Sequence, residues 1–255
     1  AGTGEQGSLG DGGPATLAQL TYPIGVTVSP AGDLYIAEYD GSRVRRVDVT
    51  TGVITTVAGT GVQGYNGDGI AATDAQLHYP WGLAVDAAGR LYIAEHGNHR
   101  IRRVDAATGL IATYAGTGGG GYTGDGGLAT AATIDTPLGI ALDGSGNLYF
   151  AEYGYHVVRR VDAGTGIITT VAGNGTGAYS GDGVAATATS LVMIAAMGAS
   201  ASTVYLRKRL VEPALVLAVG PSAWLFSFLT GALSGRLDER LLRIAFGIVL
   251  VPVAL

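Results

Sequence analysis

The sequence predicts an all-β fold for residues 1–190, a partial β-propeller of three four-stranded blades, followed by an α-helical, transmembrane-like hydrophobic segment over 191–255. Three observations predict it. The first is an uninterrupted internal repeat: "AGTG" at 1–4 returns at 58–61 and 115–118, and as "AGNG" at 172–175. Self-similarity at a fixed period is the mark of a repeat architecture. The second is that each copy holds four short runs rich in Val, Ile, Tyr and Thr between Asp, Gly and Pro turn signals. Four antiparallel strands per period describe one propeller blade. The third is a change of composition after residue 190. Residues 1–190 carry nine Arg, no Lys and seventeen acids, whereas 191–255 carry six basic residues and three acids. Such asymmetry suggests two segments with different solvents.

In the second copy the strand-like runs are "GLAVD", "RLYIAE", "HRIRRVD" and "LIATYAG", and "DAAG" and "DAATG" are the tight turns between antiparallel neighbours. The expected blades span about 22–57, 79–114 and 136–171. Three blades are fewer than the four or so that close a propeller ring, so an open arc with two exposed edges, or further blades before residue 1, is expected. The chain opens mid-repeat, lacks an initiator Met and stops within the apolar "LVPVAL", as a fragment would. With no cysteine, disulfides, thiolate metal sites and a cysteine nucleophile are excluded.

"YPWGLAVDAAGRLYIAEHGNHRIRRVD" resembles the NHL repeat, and "GLIATYAGTGGGGYTGDGGLATAA" resembles the linker between blades of long bacterial NHL proteins. The resemblance covers residues 1–190. It implies a β-propeller, in this family often six-bladed, whose loops bind proteins or other ligands. Where the NHL pattern usually has Asp, this chain has Glu at the end of its second strands.

The repeated charges are candidates for scaffold or site. Asp11, Asp68, Asp125 and Asp182 of the "GDG" motifs could contribute to a Ca²⁺ site, but one carboxylate per loop is too few, and Asx-type turns are expected instead. Glu38, Glu95 and Glu152 each precede Arg45, Arg102 and Arg159 by the same short interval. Their recurrence in every copy favours structural ion pairs, between blades, over a charged binding face. His99 and His156 share a repeat position with Ser42, whereas His78 and His96 have no His counterpart. None shows metal-ligand spacing, so no metal and no cofactor is expected. No nucleophile elbow, phosphate loop or basic nucleic-acid patch is present. Tyr39, His96 and Tyr153 share a loop position, and Tyr22, Tyr79 and Trp81 flank the prolines that open the first strands. Tyr39, His96, Tyr153 and Trp81 are the expected binding face, for a protein or glycan ligand.

The tail has no charge over 183–206 or 213–235, each run long enough to span about 30 Å of hydrocarbon as a helix. Small residues within them suit helix–helix packing in a membrane. "RKRLVEPALVLAVGPSAWLFSFLTGALSGRLDERLLRIAFGIVLVPVAL" resembles part of the sulfite exporter TauE/SafE family, which consists of membrane transporters of sulfur-containing or organic anions. The expected function is a non-catalytic recognition module, not an enzyme and not a nucleic-acid binder, tethered to a membrane through 191–255 with the propeller extracytoplasmic. An accessory domain of an anion transporter, or an artificial join of two fragments near 185–195, are the alternatives.

Overall fold

The turn chemistry and β-branched runs of each repeat copy fold as local antiparallel meanders. The computed structural model describes residues 1–176. The first blade is β1 (Pro23–Val28), β2 (Leu34–Glu38), β3 (Arg43–Val47) and β4 (Ile54–Ala58), paired in that order. After it comes the short β5 (Ile70–Ala71). The second blade is β6 (Pro80–Val85), β7 (Leu91–Glu95), β8 (Arg100–Val104) and β9 (Leu110–Ala115), and the third is β10 (Pro137–Leu142), β11 (Leu148–Glu152), β12 (Val157–Val161) and β13 (Ile168–Ala172). Registers repeat from blade to blade: Ile36 faces Arg45, Ile93 faces Arg102 and Phe150 faces Arg159. The expected three antiparallel meanders are therefore present.

The second sheet has five strands, not four. β5 comes from the linker and pairs with the outer strand β9, Ile70 opposite Ile111 and Ala71 opposite Leu110. The same linker position bridges the outer strand in the other blades, Pro14 to Val53 and Leu128 to Ile167. The reason is the unpaired outer edge, whose N–H and C=O groups need partners. Gly12, Gly69 and Gly126 donate their N–H to Ile54, Ile111 and Ile168 respectively. Each linker then makes a 3₁₀ turn (Ala15–Leu17, Ala72–Asp74, Ala129–Ala131). The turns of Ala72–Asp74 and Ala129–Ala131 lie against the outer strands of the preceding blades, β4 and β9. Their flanking alanines, such as Ala72, Ala75, Ala129 and Ala132, are buried, because nothing larger fits between two sheets.

The inner strands β1, β6 and β10 pack side by side. Their approach is closer than a side chain permits: a Cβ on Gly25 would collide with the Trp81 carbonyl oxygen, and one on Gly82 with that of Leu138. Burial follows this stacking. Leu83 on β6 is 6% exposed, whereas Val26, at the same repeat position on β1, is 67% exposed. Among the described residues no helix is long and apolar enough to cross a membrane. The expectations for Asp182 and for the segment 191–255 fall outside the described residues.

Candidate functional site

Each blade is keyed by a fully buried arginine on its third strand, Arg45, Arg102 or Arg159. One partner is the glutamate ending the second strand of the same blade: Arg45–Glu38 3.6 Å, Arg102–Glu95 3.5 Å and Arg159–Glu152 3.3 Å. The pairs lie within blades, not between them, because a short hairpin brings neighbouring strands of one sheet together. The other partner is the "GDG" aspartate of the preceding linker: Arg45–Asp11 2.6 Å, Arg102–Asp68 2.9 Å and Arg159–Asp125 2.6 Å. These aspartates are thus long-range anchors, where the sequence suggested local turns. Asp11 and Asp125 also accept the N–H of Thr56 and Thr170 on the outer strands. Burial opposes the charge on Asp125, but bonds from Thr170 and Arg159 outweigh it and hold its carboxyl below the usual range. The Asx geometry does occur at the turns between third and outer strands. There Asp105 accepts from the N–H of Ala107 and Thr108 and from the Thr108 hydroxyl.

The glutamates hold the chain as well as the arginine. Glu38, Glu95 and Glu152 accept the N–H of Thr21, His78 and Asp135, just ahead of each inner strand. Two carboxylates around one guanidinium carry a surplus negative charge, and the glutamate of each set is buried while its aspartate is part-exposed. Burial pushes Glu95 and Glu152 up to about 7, with the arginines and N–H donors pulling the other way, and it raises Glu38 too. A carboxyl raised in the folded state binds a proton that the unfolded chain has released between about pH 4.5 and 7. Stability from these groups is therefore complete below that window and is lost as pH rises through about 7. Denaturant unfolding from pH 5 to 8 is expected to show a falling free energy, with Glu95 contributing a slope of up to ~1.4 kcal/mol per pH unit. Glu95→Gln should flatten that slope; an unchanged slope in the variant would refute the assignment.

The aromatic residues gather at the other kind of junction, where the first blade meets the second. Tyr39, in the loop after β2, stacks on Tyr79, ahead of β6, at 4.3 Å and 9°. Trp81 stands edge-on to Tyr39 at 5.5 Å, and His96 lies 6.0–6.2 Å from Tyr39, Tyr79 and Trp81. A left-handed backbone sets this up. Tyr22 and Tyr79 have φ of 47° and 54° immediately before proline. Their carbonyls accept the N–H of Tyr39 and His96, which fixes the loop against the strand entrance. Such conformations cost about 1–3 kcal/mol each and persist only where the surroundings impose them. Burial, with His99 and His78 nearby, holds His96 below the usual imidazole range despite Asp135. Its Nδ1 is buried without a hydrogen-bond partner among the described residues.

Of the four expected binding-face residues, Tyr39, Trp81 and His96 are brought together. Tyr153 is not: it lies one blade further on, 67% exposed, with His156 at 6.4 Å. Tyr79, the stacking partner, is not among the expected four, although its place before Pro80 and next to Trp81 was the available signal. His99 links the second blade to the third. Its Nδ1 is 2.9 Å from Asp135 Oδ1 and 3.1 Å from the Thr136 nitrogen. One nitrogen cannot donate to the first and accept from the second at once, so the two contacts belong to different tautomers of the ring. Among the described residues no three His, Asp or Glu side chains group to hold a metal ion.

Residues 2–66 match the model of the teneurin NHL domain, and residues 77–104 match the NHL repeat. The protein SUPPRESSOR OF QUENCHING 1 of Arabidopsis thaliana is 28% identical over 173 residues, 65% of this chain and 16% of that protein. Human Teneurin-4 is 40% identical over 100 residues, 34% of this chain and 4% of that protein. The structure of a gluconolactonase from Xanthomonas campestris aligns with 61% of this chain and 48% of its own, at 20% identity and a TM-score of 0.45. The chain thus spans less than a fifth of the length of the first two relatives. It carries an NHL repeat domain built from propeller-type blades.

Proposed function

We propose that the blades form a non-catalytic protein-recognition module whose binding face is the aromatic patch of Tyr39, Tyr79, Trp81 and His96, carried by a membrane tether in residues 191–255. The observation that carries this reading is the patch itself. Four aromatic rings, all partly exposed, are held by backbone hydrogen bonds at a junction of two blades. Rigid, partly solvated aromatics supply contact area at little entropic cost and dominate hot spots in protein recognition. The repeated acids and arginines support it by default, since they are occupied with each other and with linker backbone. The tether rests on the uncharged runs 183–206 and 213–235 alone.

The test is to select binders for the 255-residue chain from a peptide display library and, in parallel, from a glycan array. Peptides selected on the wild type are expected to lose at least about tenfold in affinity with Tyr39→Ala or Trp81→Ala. Tyr153→Ala should leave them within about threefold. Binders indifferent to both patch substitutions would sink the proposed face, and a chain that captures only glycans would replace protein by carbohydrate as the ligand.

A further inference from the structure

A cleft of about 750 Å³ separates the first blade from the second at the ends of the strands away from the aromatic patch. Ser29, Tyr35, Arg46, Val57, Asp105 and Thr108 are among its walls. Its size falls within the range of about 300–1,000 Å³ typical of ligand sites. The internal repeat reveals what belongs there. A shift of one repeat period carries Tyr35, Arg46, Val57 and Asp105 onto Tyr92, Arg103, Tyr114 and Asp162. Between the second and third blades Tyr114 stands in this space where the first cleft has Val57, and Ser29 and Asp33 of the first cleft give way to Asp86 and Arg90. The Tyr114 ring meets Tyr92 edge-on at 5.0 Å and 84°, with the Arg103 guanidinium 5.5 Å above it. It packs on the core shared with Leu148, Phe150 and Val161 of the third blade, and its phenol lies within the field of Asp162.

In the first cleft the tyrosine, arginine and aspartate of that socket recur as Tyr35, Arg46 and Asp105, and the ring is missing, because Val57 stands where Tyr114 does. Tyr35 lines the open cleft, and its hydroxyl has no hydrogen-bond partner among the described residues, whereas the hydroxyls of Tyr92 and Tyr149 each donate to an aspartate. Arg46 is held at the rim by Asp33 at 2.9 Å and Asp48 at 3.3 Å. Its charge is thereby balanced, which suits a neutral aromatic ring better than an anion.

We propose that the cleft between the first and second blades is a socket for a tyrosine side chain of a partner protein, seated as Tyr114 is seated in the next cleft. The phenol ring lies against the edge of Tyr35 and beneath Arg46, and its hydroxyl reaches Asp105. Edge-to-face and cation–π contacts add to the burial of the ring and orient it. This socket is separate from the aromatic patch and does not depend on it.

N-acetyl-tyrosinamide titrated into the isotope-labelled full chain tests it by NMR. Saturable shifts are expected at Tyr35, Val57 and Asp105, with none at those residues from N-acetyl-valinamide. Val57→Tyr should reduce affinity at least about tenfold, since the protein's own ring then fills the socket, and this residue is already tolerated at the equivalent position 114. Tyr114→Val should add a second site, seen as new saturable shifts around Tyr92. Tyr39→Ala, which removes the patch, should leave this binding unchanged, so loss of either reading is visible without loss of the other. Binding that survives Val57→Tyr, equal binding of the valine derivative, or no saturable shift at the cleft would overturn the proposal. If Val57→Tyr does not fold, the absence of a second site in Tyr114→Val does so instead.

Discussion

Arg102→Met is expected to lower the unfolding free energy by about 3–5 kcal/mol at pH 8, and by distinctly less at pH 5. The guanidinium is fully buried and joins three things: Glu95 on its own blade, Asp68 on the linker and the Gly67 carbonyl. Tyr65 adds its ring face at 4.9 Å. Removal strands a buried carboxylate at alkaline pH, and a large part of the cost is that uncompensated charge. At pH 5 Glu95 takes a proton, because burial has already pushed it up to about 7, and the penalty shrinks. The linker around Gly67 should also loosen, so protease cleavage near residues 62–69 should rise before global unfolding. Arg160→Met is the contrast. Its partner Asp162 is part-exposed, and the pair should be worth less than about 1 kcal/mol. Urea unfolding at the two pH values decides it. Equal costs for the two arginines, or a cost at Arg102 independent of pH, would show that the buried set does not work as described.

Gly82→Ala is expected to cost about 3 kcal/mol, and Gly139→Ala less than about 1 kcal/mol. Both glycines occupy the same position of an inner strand, in successive copies of the repeat. At Gly82 a Cβ would run into the Leu138 carbonyl oxygen, with the Ile140 nitrogen at 3.0 Å, so β6 and β10 would have to separate. Backbone atoms of a hydrogen-bonded strand cannot swing aside as a long side chain can. At Gly139 a Cβ meets nothing within 4 Å among the described residues. Comparable Tm losses in the two variants would mean that the close approach of the inner strands does not set blade packing.

The extent to which function was legible follows from sequence separation. The aromatic patch was half visible: Tyr39 and His96 share a repeat position, and that sufficed to nominate them. Their meeting with Tyr79 and Trp81 required two blades to pack, and Tyr153, nominated on the same ground, has no such neighbour among the described residues. The aspartates of "GDG" read as turn residues because Asp–Gly has a strong local meaning. Their arginine partners lie 34 residues further along the chain, on the third strand of the blade that follows the linker, and no local pattern points to them.

Period, strand number within a meander, turn residues and the order of blades are local properties, and the sequence by itself determined them. Short hydrophobic runs between Asp and Gly turns can pair only with their immediate neighbours at such loop lengths. Tertiary structure alone decided three things. The linker adds itself to the outer edge of a blade, because that edge has unsatisfied N–H and C=O groups and the linker is the nearest backbone able to meet them. Glu95 and Glu152 are pushed up to about 7, and Glu38 is raised too, because packing removes the water that would otherwise solvate them. A valine and a tyrosine at one repeat position leave one cleft open and another filled, a difference of volume that acquires meaning only when two blades face each other.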